Sequence, residues 1–153
     1  FYGFVAPWEE AVARVLPETD KVRRGRAKTP WLEADLTFFG RDAAGRAALP
    51  RVAQLPATET RAQVLGAAYV FEGATLGGRV ISRHVEQVLG LSGGGGYRYF
   101  QSYGEAVAQR WQDFRGELLQ ASSRANDDTM VAAACATFDR LCEWFGAPRE
   151  AAA

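Results

Sequence analysis

Apolar residues recur at helical spacing along most of the chain, and this periodicity predicts five helices. They cover about residues 1–16, 30–39, 58–89, 102–121 and 126–146. Sustained alternation of apolar and polar residues, which is typical of strands, is absent from the sequence, as are Asn-Gly and Asp-Gly hairpin turns. Since short connectors join long helices, the pattern predicts an all-α fold, a single-domain helical bundle spanning residues 1–153.

Prolines and capping residues indicate where these helices begin and end. Pro7 marks a kink or a start within the first helix, and Pro30 opens the second. Thr58 is the predicted cap of the third helix, with only half of a capping box because Arg61 stands where Glu or Gln is preferred. Asn126 is the predicted cap of the fifth helix.

Three segments lack the helical pattern: residues 17–29, 41–56 and 93–96. The first carries a basic cluster, Lys21–Arg26 with Lys28, whose simplest interpretation is a solvated loop. The second predicts short, irregular structure. The third, Gly93–Gly96, is predicted to be a flexible loop and not a phosphate-binding loop, because no strand precedes it and no Lys-Ser or Lys-Thr pair follows it.

The composition is that of an ordinary soluble globular protein, and it excludes several kinds of partner. Eighteen basic and eighteen acidic residues give zero formal charge, so nothing favours nucleic acid or an anionic membrane. No apolar run is long enough to span a membrane, and no signal-peptide pattern is present. Cys135 and Cys142 lie roughly 10 Å apart along a helix, too far for a disulfide. They are predicted to be small buried apolar residues of a cytoplasmic protein.

Four glycines interrupt the long third helix, and their energetic cost needs an explanation. Gly66, Gly73, Gly77 and Gly78 each cost about 0.5–1 kcal/mol relative to alanine. Together they remove roughly 2–4 kcal/mol from a net stability of about 5–15 kcal/mol. Close packing of another helix is one explanation. The other is a flat ligand resting against the bare backbone of Gly73 and Gly77, which lie on one face, with Gly77–Gly78 permitting a bend.

The residues around these glycines resemble a known family. Ala68–Gly78, which reads AYVFEGATLGG, resembles the distal-helix signature of bacterial heme oxygenases, especially those that supply biliverdin to phytochromes. The continuation Val80–His84 fits the same group. Individually weaker matches follow in the family's order at Phe1–Glu9, Trp31–Gly40, Tyr103–Glu105, Arg110–Phe114 and Ala134–Phe138. The resemblance therefore covers nearly the whole chain.

This resemblance implies an enzyme for which heme is both substrate and cofactor. The family cleaves heme, with oxygen, to biliverdin, carbon monoxide and ferrous iron, between a proximal helix bearing the axial histidine and a glycine-kinked distal helix. The implied heme-binding residues are Tyr69, Gly73, Ala74, Thr75, Gly77, Gly78, Arg110 and Phe138. The implied partners are heme, an external electron donor such as ferredoxin or a reductase, and a phytochrome that receives the biliverdin.

Individual roles follow from the same resemblance. Gly73 and Gly77 are the implied catalytic residues, because they let the backbone approach the heme. Tyr69 and Arg110 are implied partners of the heme propionates, and a charge-assisted contact suits the arginine. Phe138 is implied to be a wall of the pocket. The alternatives are a solvated helix charge for Arg110 and ordinary core packing for Phe138.

Two departures from the family leave a second function open. Ala74 stands where the family often has Asp or Ser, so proton delivery falls to backbone groups, Thr75 or water. The family's proximal histidine lies upstream of the segment matched by Phe1, so we expect the proximal helix to be missing from this chain. The alternative functions are a catalytically inactive domain that binds heme, a tetrapyrrole or a protein, and a structural helical interaction module.

His84 is the one histidine of the sequence, and imidazole is a common iron ligand. It follows Gly77 by seven residues, which places it on the same helical stripe but about 10 Å further along the axis. A ligand there would lie on the distal side. His84 is therefore predicted to be a surface or core-edge residue, and no metal ligand is assigned in this chain.

Overall fold

The computed structural model describes residues 1–91 and 95–146; the fold is 72% helical, with no strand among those residues. Its helices are α1 (Tyr2–Val15), α2 (Thr29–Phe38), α3 (Ala43–Ala47), α4 (Arg61–Ala74), α5 (Gly78–Leu89), α6 (Arg98–Gln101), α7 (Val107–Ala121) and α8 (Arg124–Gly146). The predicted all-α fold is confirmed. Within the described ranges, no helix combines the length and the apolarity needed to cross a membrane.

The long third helix of the sequence prediction is broken at its glycines. A turn of 3-10 helix, Thr75–Gly77, separates α4 from α5. The Thr75 hydroxyl donates to the Glu72 carbonyl at 2.6 Å, which satisfies one of the last carbonyl groups of α4. The predicted glycine kink is therefore present, and it takes the form of a tightened turn between two α-helices.

Several predicted helix ends are wrong by a few residues. Thr60, and not Thr58, caps α4, and a complete capping box is present because Gln63 supplies the partner that Arg61 could not. The predicted fourth helix starts late, at α7, because Ser102 takes a left-handed φ of 51° that interrupts the helix. Asn126 lies inside α8 and donates to the Ala121 carbonyl at the end of α7. The predicted glycine loop falls partly on residues 92–94, outside the described residues.

Pro7 lies inside α1 without ending it. A proline ring removes the hydrogen bond that the carbonyl four residues earlier would accept. Here that carbonyl belongs to Gly3, and it accepts a hydrogen bond from the Val52 amide at 2.8 Å. The missing side chain of Gly3 also makes room for the Pro50 carbonyl. Pro7 leaves the Gly3 carbonyl free to bind Val52, and Gly3 leaves room for Pro50. These two contacts hold the segment around Pro50 on α1.

The core lies where α4 passes between α1, α7 and α8. The α4 stretch from Val64 to Glu72 is buried at every position except Tyr69. Trp8 of α1 packs on Phe71 with ring centroids 4.4 Å apart. On another side of α4, α8 comes so close that a Cβ at Gly66 would lie well inside 3.0 Å of the Met130 carbonyl oxygen.

Gly66→Ala is therefore expected to destabilise the protein by about 1–3 kcal/mol, because two helix backbones would have to separate to admit one methyl group. Gly116→Ala on α7 is the matched control, since a Cβ there meets no described atom within 4 Å. It should stabilise the protein by about 0.5–1 kcal/mol. Urea unfolding midpoints measure both changes. Equal midpoints for the two variants would contradict the close contact at Gly66.

The two cysteines are not buried. Cys135 and Cys142 are both free and exposed on α8, so the prediction that they are small core residues is wrong. Seven residues is close to two helical turns, and the pair does share one face. That face points to solvent, because α8 packs on α4 through Met130, Ala133 and Thr137.

Candidate functional site

The four glycines of the broken helix fall into two pairs with different surroundings. A Cβ at Gly66 or Gly78 would lie well inside 3.0 Å of a backbone carbonyl, from Met130 or Phe100. Close packing therefore explains these two. A Cβ at Gly73 would meet only the Trp111 ring, at 3.9 Å, and one at Gly77 would meet no described atom within 4 Å. Packing does not explain Gly73 and Gly77.

The second pair lies on an exposed, largely apolar stripe. This stripe, called the glycine face below, consists of Tyr69, Gly73, Leu76, Gly77 and Val80. Its side chains are 45% exposed at Tyr69, 49% at Leu76 and 74% at Val80. The Trp111 ring of α7 borders it, with its centroid 5.6 Å from that of Tyr69. The glycine face thus offers bare backbone flanked by apolar side chains, a surface that a flat apolar ligand would cover well.

Other predicted site residues line a small cavity beneath the break. Ala74, Thr75 and Gly78 share it with aromatic and aliphatic neighbours, and its volume is about 70 Å³. Sites for organic ligands usually measure about 300–1,000 Å³. This cavity is therefore too small for a flat macrocycle.

Arg110 and Phe138 do not line that cavity. The alternatives considered for them were a solvated helix charge for Arg110 and ordinary core packing for Phe138, and the structure shows neither. The Arg110 guanidinium is half-buried, donates to the Gly25 carbonyl, and lies 4.8 Å from the Tyr103 ring centroid. It is not simply a solvated charge. Phe138 is 53% exposed on α8, so ordinary core packing is wrong for this residue. Their contacts with a ligand stay predictions.

A buried ion cluster, which the sequence did not predict, is centred on Glu72, the residue that precedes Gly73 in α4. Glu72 accepts hydrogen bonds from Arg26 Nη1 at 2.6 Å, from the Lys28 ammonium and from the Tyr103 hydroxyl at 2.9 Å. The side chains of Arg26, Lys28 and Glu72 are at most 6% exposed. The prediction that the basic cluster is wholly a solvated loop is therefore wrong at Arg26 and Lys28.

The cluster joins the connector before α2 to the end of α4. Burial raises the pKa of Tyr103, and the negative charge of Glu72 acts in the same direction, against the opposing effect of Lys28. The phenol therefore stays protonated and donates to the carboxylate. Two buried cations share one carboxylate here, an arrangement that holds only while every donor is paired.

A signal for this cluster was present in the sequence. Glu72 ends a run of core-facing positions in α4, and a carboxylate there requires cationic partners because unpaired buried charge is very costly. The sequence does not say which of the basic residues supply them. His84, by contrast, is exposed on α5, in agreement with its predicted surface position.

Comparison with known proteins identifies one family. The family model described as heme oxygenase matches residues 9–147, which include the glycine face, the ion cluster, Arg110 and Phe138. No curated protein and no solved structure matches the chain.

Proposed function

The chain belongs to the heme oxygenase family, and from that premise we propose that it is an active heme oxygenase. It would cleave heme to biliverdin, carbon monoxide and ferrous iron, using oxygen and electrons from an external donor. The observation that supports this proposal is the pair of glycines, Gly73 and Gly77, that helix packing leaves unexplained. Heme would supply the iron that activates oxygen and the porphyrin edge that is oxidised.

The glycine face fits a porphyrin plane. A Cβ at Gly77 would occupy open space that a flat ring could use instead. A Cβ at Gly73 would meet only the Trp111 ring, at 3.9 Å. Tyr69 and Phe138 are exposed aromatic side chains suited to the rim of such a site. A ligand that buries the apolar surface of Tyr69 and Phe138 would stabilise the complex by about 25 cal/mol per Å². This gain would offset the helix stability that is lost by having glycine at these positions.

Polar groups near the break divide between binding and proton handling. In this proposal Tyr69, which is 45% exposed, and Arg110, which is half-buried, bind the heme propionates. Ala74 carries no proton donor, and the Thr75 hydroxyl already donates inward to the Glu72 carbonyl. Proton delivery at the glycine face therefore falls to water and backbone amides.

The partners and the location belong to the same proposal. The resemblance of Ala68–Gly78 to the phytochrome-associated type supports biliverdin as the product and a phytochrome as its acceptor. A ferredoxin or a reductase would supply electrons. Two exposed free thiols, Cys135 and Cys142, suit the reducing conditions of the cytoplasm. The expectation that the axial histidine lies upstream of Phe1 stays a prediction.

Reconstitution of the full-length protein with hemin tests the proposal. We expect one heme to bind per chain with a histidine-type ferric spectrum. With oxygen and a ferredoxin–reductase system, heme absorbance should fall while a green pigment forms that chromatography identifies as biliverdin. Absence of a Soret band at stoichiometric heme would contradict both heme binding and catalysis.

A heme-binding domain without activity is the second candidate, and Ala74 is the observation that favours it. If the protein binds heme but releases no biliverdin, Ala74→Ser and Ala74→Asp become decisive. Restored turnover in either variant would show a binding domain that lost its proton-organising side chain. Turnover by the unmodified protein would exclude this candidate.

A further inference from the structure

Arg110 differs from the buried cations of the ion cluster, because no carboxylate of the described residues forms an ion pair with it. Its guanidinium is half-buried, and its Nη2 donates to a neutral group, the Gly25 carbonyl. Arg26 and Lys28, by contrast, share the carboxylate of Glu72. A partly buried guanidinium without an ionic partner favours an anionic ligand, and a carboxylate matches its planar edge.

Arg110 lies beside the end of α4 that carries the glycine face. The Nη1 atom of Arg26 donates to Glu72 at 2.6 Å and to the Arg110 carbonyl at 3.3 Å, so one guanidinium connects α4 with α7. The residue that follows Arg110 is Trp111, whose ring would lie 3.9 Å from a Cβ at Gly73. The backbone of α7 at Arg110 is therefore held close to the first glycine of the proposed heme site.

The Tyr103 ring restricts the direction of the Arg110 side chain. The Arg110 guanidinium carbon lies 4.8 Å from the centroid of this ring. The ring itself is held by its hydroxyl, which donates to Glu72 at 2.9 Å, and by an edge contact with Trp31, whose ring centroid is 5.1 Å away. A guanidinium that stacks on an aromatic face keeps the donors of its edge available to a ligand. Tyr103 thus connects the buried ion cluster with Arg110.

We propose that Tyr103 is a positioning residue of the heme site, whose ring holds the Arg110 guanidinium in the orientation that binds a heme propionate. This inference rests on the proposed function. Without the ring, Arg110 would occupy several rotamers in the apo protein and would lose that freedom when the ligand binds. The loss of one ordered side chain of this kind corresponds to an affinity change of about 2- to 10-fold.

Affinities of the full-length protein for heme and for heme dimethyl ester test the proposal. The ester has the same porphyrin ring but no carboxylate charge, so the ratio of the two dissociation constants reports the propionate contacts alone. We expect the unmodified protein to bind heme at least tenfold more tightly than the ester. Tyr103→Leu should lower this ratio about 2- to 10-fold, whereas Tyr103→Phe keeps the ring and should retain the ratio.

Two variants of Arg110 show whether Tyr103 acts through it. Arg110→Gln should lower the ratio at least as much as Tyr103→Leu does, and adding Tyr103→Leu to Arg110→Gln should lower it no further. Arg110→Lys keeps the charge but lacks the planar group that stacks on Tyr103, so the ratio should also fall. Because position 110 is only half-buried, this variant keeps the test decisive if circular dichroism shows that Tyr103→Leu is unfolded.

A purely structural role of Tyr103 would weaken the binding of heme and ester equally and leave the ratio unchanged. That result in Tyr103→Leu would overturn the proposal, as would equal losses in Tyr103→Leu and Tyr103→Phe or an unchanged ratio in Arg110→Lys. Each of these outcomes still includes heme binding, so the heme oxygenase proposal would stand. Absence of heme binding by the unmodified protein would contradict both.

Discussion

Replacing Gly77 by leucine is expected to weaken heme binding by about 5- to 150-fold while the fold is retained. A leucine side chain there meets no described atom within 4 Å at its Cβ, so the apo protein has room for it. A porphyrin resting on the glycine face would meet the side chain directly. Overpacking of a formed contact costs about 1–3 kcal/mol, which corresponds to that range of affinities.

Gly116→Leu is the matched control for this variant. Gly116 also lies in a helix, and its Cβ position is equally open, but it belongs to α7 and is not part of the glycine face. Heme titration followed at the Soret band should separate the two variants, and urea unfolding should show both folded. In addition, Gly77→Ala should raise the unfolding free energy by about 0.5–1 kcal/mol while heme affinity falls. Unchanged heme affinity in Gly77→Leu would exclude the glycine face as the binding surface.

Replacing Glu72 by glutamine is expected to remove about 3–5 kcal/mol from the free energy of unfolding. The amide has nearly the shape of the carboxylate but leaves Arg26 and Lys28 as buried cations without an anionic partner. That cost is comparable to the whole net stability of a small domain. Denaturant unfolding measures it, and partial unfolding at 37 °C is expected.

Glu117→Gln is the control for loss of a carboxylate with two cationic partners. The Glu117 side chain is 9% exposed and pairs with Lys21 and Arg61, whose side chains are 73% and 37% exposed, so solvent can hydrate both cations when the carboxylate is removed. We expect a loss of about 0–1 kcal/mol. A triple variant with methionine at Arg26, Lys28 and Glu72 should recover much of the stability lost in Glu72→Gln, because no buried charge then remains unpaired. Similar losses in Glu72→Gln and Glu117→Gln would show that the cluster is better solvated than its burial indicates.

Local sequence was sufficient for the elements of this fold. Apolar periodicity predicted helices where α1, α2, α4, α5, α7 and α8 lie, because each buries one stripe against neighbours and repeats at 3.6 residues per turn. The break at Thr75–Gly77 was also predictable, since adjacent glycines weaken a helix wherever they occur. Helix ends were less reliable. Thr58 and Thr60 have the same side chain and the same preference for a helix N-cap. Thr60 is the cap because Gln63, three residues later, completes a capping box with it.

The same local information predicted which glycines are unusual, but not why. Gly66 and Gly73 look alike in the sequence, yet the α8 backbone packs against Gly66, while a Cβ at Gly73 would meet only the Trp111 ring at 3.9 Å. Likewise, Phe138 and the two cysteines have the side chains of core residues, and they are exposed because α8 turns another stripe toward α4. Which stripe of a helix is buried depends on the neighbour that packs against it.

Taken by itself, the sequence determined the helical class, the glycine-broken helix and the resemblance to heme oxygenases, all of which depend on residues near one another in the chain. Only the tertiary structure decided that Arg26 and Lys28 are buried partners of Glu72, which lies 46 and 44 residues away from them. It also decided that Gly73 and Gly77 remain open. The physical reason is that burial and pairing of charges depend on distances between segments, and these distances are set when the helices pack.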